Sequence, residues 1–271
     1  MKELPNVKHI IAIASGKGGV GKSTTAVNLA LALSKEGART GILDADIYGP
    51  SQPLMLGITK KPEKTANKTL MPIMAHNLQS MSIGYLIDET TPMVWRGPMA
   101  SMALQQLLHD THWDNLDYLI IDLPPGTGDV QLTLAQKIPV NGAVIVTTPQ
   151  DLALVDAKRA YEMFRKVHVP VLGVIENMST HICSSCGHQE SIFGTGGGQH
   201  FSEKYGIDLL GALPLHKQIR EQTDGGRPTV VADPNSPISA LYIEIAKKLI
   251  TKLSSQAKNP SKFPHIIIKD E

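Results

Sequence analysis

The sequence predicts an α/β fold in which helices flank a doubly wound, mainly parallel β-sheet. Short apolar runs alternate with helical patterns along nearly the whole 271-residue chain. Several of these runs are apolar at every position, which is typical of strands buried on both faces. Alternation of strands and helices gives parallel strands joined by right-handed crossovers, so both observations indicate the same architecture.

The individual elements follow from this alternation. The predicted strands are His9–Ala14, Thr40–Leu43, Leu78–Ile83, Tyr118–Asp122, Ala143–Thr147, Val171–Glu176 and Leu209–Leu213. The predicted helices cover residues 23–36, 98–110, 128–137, 152–167, 196–205 and 238–253. Residues 47–77 contain four prolines and a lysine-rich stretch, and we expect them to form a long mobile loop.

The composition narrows the classes of protein to consider. Lys and Arg number 26 against 25 Asp and Glu, and 42% of the residues are hydrophobic, so we expect a packed core rather than disorder. Near-neutral charge and 4% aromatic residues disfavour nucleic-acid binding. No targeting segment or membrane-spanning run is recognisable, so we expect a cytoplasmic protein without a membrane partner. One domain over residues 1–255 and a C-terminal tail over 256–271 is the predicted organisation.

A phosphate-binding loop is predicted between the first strand and the first helix. Its pattern is G-x-x-x-x-G-K-[ST], in which backbone N–H groups and the helix N-terminus bind phosphate oxygens. The lysine of the pattern neutralises the β- and γ-phosphates, and the hydroxyl of its last residue binds Mg²⁺. The alternative is a glycine-rich turn. The predicted nucleotide-binding residues of this loop are Gly16, Lys17, Gly18, Gly19, Val20, Gly21, Lys22, Ser23 and the adjoining Thr24.

Carboxylates at strand ends complete the predicted nucleotide site. Asp44 and Asp46 are two residues apart at the end of a strand, so both point towards the edge where doubly wound sheets bind ligands. One of them can orient metal-bound water while the other polarises the attacking water; alternatively, both only cap a turn. Asp122 ends a buried apolar run and is predicted to hold Mg²⁺ through water. Asp129 is predicted to be a charge at a helix start.

Asn177 directly follows the run Val-Leu-Gly-Val-Ile-Glu. A carboxamide offers a donor and an acceptor together and can therefore bind the donor–acceptor edge of adenine. The sequence has no Asn-Lys-x-Asp run, so it does not support guanine specificity. We therefore expect ATP, with Mg²⁺, as the nucleotide.

The two cysteines, Cys183 and Cys186, form a C-x-x-C in the predicted loop over residues 178–198. Two thiolates at this spacing can bind one metal ion or one edge of a cluster. A [4Fe–4S] cluster needs four thiolates, which two chains related by a twofold axis would supply. Zinc remains open, either between four cysteines of two chains or with His181 and His188 inside one chain.

Six motifs in this order resemble those of the Mrp/ApbC-type iron–sulfur cluster carrier ATPases, over about residues 7 to 250. This resemblance implies the P-loop NTPase fold of the partition, septum-site and nitrogenase-iron-protein superfamily. It also implies ATP hydrolysis and a labile [4Fe–4S] cluster bridging a homodimer, with cluster donors and recipient apo-proteins as partners. The motifs are Gly-Lys-Gly-Gly-Val-Gly-Lys-Ser, Asp-Ala-Asp-Ile-Tyr-Gly-Pro-Ser, Val-Trp-Arg-Gly-Pro-Met, Asp-Leu-Pro-Pro-Gly-Thr-Gly-Asp, Glu-Asn-Met-Ser and the C-x-x-C.

The resemblance further implies roles for individual residues. Lys17 would reach across a dimer interface to the nucleotide of the partner, in addition to Lys22 of its own loop. Asp46 would activate the attacking water, with Asp44 supporting the Mg²⁺ shell. Adenine would lie against Asn177 and Pro214, and Cys183 and Cys186 would hold the cluster. The alternative function is a positioning ATPase of the septum or partition type with a structural zinc at its dimer interface.

Overall fold

The computed structural model describes residues 4–66, 69–87 and 97–258. Their strands form an eight-stranded sheet and a separate two-stranded hairpin. The strands are β1 Val7–Ala14, β2 Thr40–Asp44, β3 Ile73–Ala75, β4 Leu78–Ser82, β5 Leu116–Asp122, β6 Gly142–Thr147, β7 Val171–Glu176, β8 His181–Ile182, β9 Gln189–Glu190 and β10 Leu209–Ala212. The helices are α1 Lys22–Lys35, α2 Gln52–Met55, α3 Gly97–Asp110, α4 Asp129–Lys137, α5 Asp151–Lys166, α6 Gly197–Tyr205, α7 Lys217–Asp224, α8 Thr229–Ala232 and α9 Pro237–Lys258, with a 3₁₀ turn over Ile83–Tyr85.

The large sheet has the strand order β10-β7-β6-β1-β5-β2-β4-β3. All neighbouring strands in it are parallel except the edge pair β3 and β4. The order runs outward from β1 in both directions, which is the arrangement of a doubly wound sheet. The predicted fold class is confirmed.

Helices bury both faces of this sheet. Successive side chains of a strand point to opposite faces, so Ile11 and Ile13 pack with α1 and α9, while Ile10 packs with α3 on the other side. On the first face the buried side chains include Tyr242, and on the second face they include Leu104. The continuous apolar runs of the sequence are therefore explained by burial on both sides.

Every predicted strand and helix is present among the described residues, with ends that agree within about two residues apart from α9. This helix continues to Lys258, so the predicted tail over 256–271 begins with helical residues. The remainder of that tail and residues 94–96 of the Val-Trp-Arg-Gly-Pro-Met motif lie outside the described residues.

The prediction of a long loop over residues 47–77 is wrong. The structure forms α2 within it, with Pro53 in the first turn, where a proline is compatible with a helix. It also forms β3, which pairs with β4 at the edge of the sheet. Both elements are too short to give a periodic signal, which is why the prolines dominated the sequence pattern.

The predicted loop over residues 178–198 also contains regular structure. The strands β8 and β9 pair antiparallel within it, and α6 begins at Gly197. The helices α7 and α8 were not predicted either. Among the described residues, no helix is sufficiently long and apolar to cross a membrane.

A substitution at Gly173 of β7 tests how closely β7 packs against β10 at the edge of the sheet. A Cβ there would lie 2.5 Å from the carbonyl oxygen of Asp208 and 2.6 Å from Cγ of Leu210. We expect Gly173→Ala to lower the free energy of unfolding by about 1–3 kcal/mol, because the added methyl forces the β10 segment away from β7. Urea denaturation measures this change.

The matched control is Gly49→Ala, since a Cβ at Gly49 has no atom within 4 Å. Its unfolding free energy should stay within about 1 kcal/mol of the wild-type value. Equal urea midpoints for the two variants would contradict the close packing of β7 against β10.

Candidate functional site

The predicted nucleotide residues converge at the carboxyl edge of the central strands. Asp44 ends β2, Asp122 ends β5, and the two residues are paired in register. Ile13 of β1 is also in register with Asp122, so the loop that follows β1 emerges beside both carboxylates. The parallel topology thus assembles the site from segments far apart in sequence.

The loop over residues 16–23 depends on its glycines. Gly19 and Gly21 have φ values of +82° and +79°, in the left-handed region that favours glycine. A Cβ at Gly16 would lie 2.0 Å from the carbonyl oxygen of Asp156 in α5, so only glycine allows this close approach. The last two residues of this motif, Lys22 and Ser23, form the start of α1, and a helix N-terminus is suited to phosphate.

A buried ion pair joins this loop to β5. Nζ of Lys22 lies 2.5 Å from Oδ1 of Asp122, and the side chains are 6% and 0% exposed. The same ammonium donates to Oγ of Ser23 at 3.2 Å. Since a buried charge is costly without a partner, each group stabilises the other in this position. The structure therefore brings together three residues that the sequence predicted for phosphate and Mg²⁺ binding.

Asp44 is fully buried beside this pair. Its Oδ2 accepts hydrogen bonds from the backbone N–H of Gln52 and from Oγ of Ser82, both at 3.0 Å. Burial, reinforced by the negative charge of Asp122, raises the pKa of Asp44 to about 7. Asp46 is half-buried, and burial raises its pKa as well, although the positive charge of Lys22 opposes this shift.

Gln52, the first residue of α2, is a site residue that the sequence analysis missed. Its side chain is fully buried, and Nε2 donates to Oδ2 of Asp122 at 2.9 Å and to the carbonyl oxygen of Ser23 at 3.2 Å. The residue lies in the segment that was predicted to be a loop. A single glutamine between prolines has no periodicity, so only its position eight residues after Asp44 could have drawn attention to it.

A cavity of about 270 Å³ lies beside the N-terminus of α1. Its walls include Thr24, Asn177 and Pro214, which the sequence analysis had assigned to the nucleotide, together with the apolar side chain of Ile219. Nδ2 of Asn177 donates to the carbonyl oxygen of Val20 at 2.8 Å. The Asn177 side chain therefore holds the phosphate loop through its NH₂ group.

The cysteines lie at the turn of the β8–β9 hairpin. The N–H of Cys183 donates to the carbonyl of His188, and the N–H of Gly187 donates back to the carbonyl of Cys183, both at 2.9 Å. Cys183 is half-buried and Cys186 is exposed, and both are free thiols. The backbone N–H groups of Ser185 and Cys186 point at the sulfur of Cys183 and lower its pKa, because they stabilise the thiolate.

The single-chain zinc site with two histidines is not assembled. Within the described part of the chain, no group of three or more His, Cys, Asp or Glu side chains is placed to hold a metal ion. Nδ1 of His181 instead lies 3.4 Å from a carboxylate oxygen of Glu190. Among the described residues, Cys183 and Cys186 therefore have no histidine or carboxylate placed with them to form a metal site.

The cysteine hairpin is attached to the wall of the cavity. The N–H of Ile182 donates to the carbonyl of Leu215 at 3.2 Å, and the N–H of Leu215 donates to the carbonyl of Thr180 at 2.9 Å. Leu215 itself lines the cavity next to Pro214. After the hairpin, the N–H of Gly198 at the start of α6 donates to the buried carboxylate of Glu176. Both ends of the cysteine segment are therefore anchored beside the predicted nucleotide site.

The chain is similar in sequence to known proteins over most of their length. A family model described as NUBPL iron-transfer P-loop NTPase, of the ParA group, matches residues 6–250. An iron–sulfur cluster carrier protein of Pseudomonas fragi is 64% identical over 245 residues, which cover 90% of this chain and 85% of that protein. The mouse iron–sulfur cluster transfer protein NUBPL is 48% identical over 256 residues, covering 94% of this chain and 80% of that protein.

Solved structures agree with the fold. A nucleotide-binding protein of Archaeoglobus fulgidus in complex with ADP has a TM-score of 0.75 and 36% identity, over 87% of this chain and 91% of that one. The cell division ATPase MinD of Pyrococcus furiosus has a TM-score of 0.68 over 90% and 98% of the chains, at 20% identity. The resemblance found in the sequence motifs is confirmed, and the chain belongs to the NUBPL iron-transfer family of P-loop NTPases.

Proposed function

We propose that the protein is an ATP-dependent iron–sulfur cluster carrier that holds a labile [4Fe–4S] cluster between two copies of the chain. The main structural support is the thiol pair of Cys183 and Cys186. These thiols lie on an exposed hairpin that is hydrogen-bonded to the wall of the nucleotide cavity. Relatives named as iron–sulfur cluster carrier or transfer proteins support it. Two free thiols fit a reducing compartment, and we place the activity in the cytoplasm.

The cluster is the cargo of this protein, and the ligand count of the hairpin requires a second chain. A [4Fe–4S] cluster takes four thiolates, whereas the described residues of one chain supply Cys183 and Cys186 and no further metal-binding partner. The N–H groups that stabilise the Cys183 thiolate favour metal ligation. Exposure of Cys186 leaves the cluster accessible to the cysteines of donor and recipient proteins.

The surface beside the phosphate loop supports the proposed homodimer. Leu152 and Val155 of α5 are 70% and 50% exposed, and they lie within one helical turn of Asp156, whose backbone contacts Gly16. Within the described residues the ammonium of Lys17 has no hydrogen bond or ion pair, so it is available to the partner's nucleotide. Exposed apolar side chains around a charged loop are typical of an interface.

The proposed hydrolysis begins with a change of partners at the buried ion pair. Lys22 leaves Asp122 and binds the β- and γ-phosphates of ATP. The hydroxyl of Ser23 and the carboxylates of Asp44 and Asp122 are hard oxygen donors that fit Mg²⁺, which would supply positive charge between the phosphates. Thr24, Asn177 and Pro214 hold the adenosine in the cavity.

Asp46 is the proposed residue that polarises the attacking water. Burial raises the pKa of its carboxyl group, so its carboxylate is a stronger base than an exposed aspartate. Asp129 is exposed in the first turn of α4, where a negative charge stabilises the helix, and we propose no catalytic role for it.

Replacing Lys22 tests the phosphate loop. We expect Lys22→Ala to lower kcat for ATP hydrolysis by at least about 100-fold, because the γ-phosphate loses its main positive partner. Phosphate release measures the rate, and a thermal melt checks that the variant is folded, since Asp122 loses its ion pair. The control Lys60→Ala changes an exposed lysine and should keep wild-type turnover. Turnover by folded Lys22→Ala would contradict the assignment.

Anaerobic reconstitution with iron and sulfide tests the cargo. We expect an oxygen-sensitive visible absorbance, about two irons per chain, and a dimer by size-exclusion chromatography with light scattering. Cys183→Ala should lose the iron and the absorbance, whereas Ser184→Ala, which changes an exposed neighbour, should keep both. If anaerobically purified protein contains zinc and takes up no iron, the proposed cluster is contradicted. That result would favour the alternative function, a positioning ATPase with a structural zinc.

Thiol alkylation tests the local environment of Cys183. In the Cys186→Ser variant, we expect the alkylation rate of Cys183 to reach half its maximum at a lower pH than in the same protein unfolded in urea. The reason is that backbone N–H groups lower the pKa of the folded thiol, so the reactive thiolate forms earlier as the pH rises. A folded midpoint at or above the unfolded one would show that these N–H groups do not stabilise the thiolate.

A further inference from the structure

Gln52 carries an unpaired acceptor in the middle of the proposed magnesium site. The side chain is 0% exposed, and its Nε2 has two acceptors, Oδ2 of Asp122 and the carbonyl oxygen of Ser23. Its Oε1 is buried and has no hydrogen-bond partner among the residues that the structure describes. Leaving a buried acceptor unpaired is costly, so such an atom in a site calls for a functional explanation.

The contacts of Gln52 connect it to every proposed Mg²⁺-binding residue. Its backbone N–H donates to Oδ2 of Asp44, while its side chain reaches Asp122 and the backbone of Ser23. Because Gln52 begins α2, this short helix is tied to the ends of β2 and β5 through one residue. The carboxamide orientation is determined as well, since only its NH₂ group can donate to the two oxygens.

We propose that Gln52 is a positioning residue for Mg²⁺, in which Nε2 orients the carboxylate of Asp122 and Oε1 accepts from a water of the ion's hydration shell. A neutral carboxamide does this without adding a third negative charge beside Asp44 and Asp122. This inference rests on the proposed function, which supplies the nucleotide and its ion.

The test measures the Mg²⁺ requirement of nucleotide binding separately from the nucleotide affinity without Mg²⁺. A fluorescent, non-hydrolysable ATP analogue is bound to the protein at increasing Mg²⁺ concentration, and its affinity is also measured in EDTA. In Gln52→Leu, which keeps the size but removes both polar atoms, we expect the half-saturating Mg²⁺ concentration to rise about tenfold, as for loss of one hydrogen bond to a charged group. The affinity in EDTA should not change.

Two further variants serve as controls. Gln52→Asn keeps the carboxamide on a shorter side chain, so its half-saturating Mg²⁺ concentration should rise less. This variant also provides the test if Gln52→Leu does not fold. Gln79→Leu makes the same chemical change on β4, where Gln79 bonds to the backbone of Asp114, and should keep the wild-type Mg²⁺ requirement.

The outcomes separate this inference from the proposed function. An unchanged Mg²⁺ requirement in folded Gln52→Leu and Gln52→Asn overturns the role of Gln52 while wild-type binding still supports the nucleotide site. An equal loss of affinity with and without Mg²⁺ also overturns it, because that pattern reports a distorted loop. A wild-type protein that shows no Mg²⁺-dependent binding overturns both proposals.

Discussion

The buried ion pair between Lys22 and Asp122 is the interaction on which the site depends. A carboxylate that is 0% exposed at the end of β5 needs a positive partner, and the lysine that supplies it begins α1. The contact between Nζ of Lys22 and Oδ1 of Asp122 therefore attaches the phosphate loop to a central strand of the sheet. In the proposed function the same lysine binds the phosphates of ATP, and nucleotide binding would then change the surroundings of Asp122. Gln52 donates to this carboxylate through its side chain and to Asp44 through its backbone N–H, so both residues would respond to that change.

The second constraint is the segment that connects the nucleotide cavity to the cysteines. Leu215 lines the cavity and is also hydrogen-bonded on both sides to the strand that leads to Cys183. Asn177 starts the same connection, and its side chain holds the carbonyl of Val20 in the phosphate loop. The short segment from Asn177 to Cys183 thus leads from a contact with the phosphate loop to the exposed thiol pair. In the proposed function, this segment connects the nucleotide site to the cluster ligands.

Most of the fold could be predicted from sequence because its signals are local. Strands such as β5 are apolar throughout, and α1 directly follows a glycine-rich loop, so their positions require no knowledge of the rest of the chain. The elements that were missed have no such signal. α7 carries two buried residues, Ile219 and Thr223, on an otherwise polar helix, and the β8–β9 hairpin has two residues in each strand. These elements form because neighbouring segments bury or hydrogen-bond them.

The sequence by itself determined the fold class, the phosphate loop and the number of thiols, since each can be read from local patterns or from composition. A chain with two cysteines three positions apart cannot complete a four-thiolate site alone, whatever its tertiary structure. Only the tertiary structure decided which side chains meet. It paired Lys22 with Asp122, left His181 beside Glu190 instead of the cysteines, and placed Gln52 between two carboxylates. Such contacts depend on the register of parallel strands that are distant in sequence, and no local pattern encodes that register.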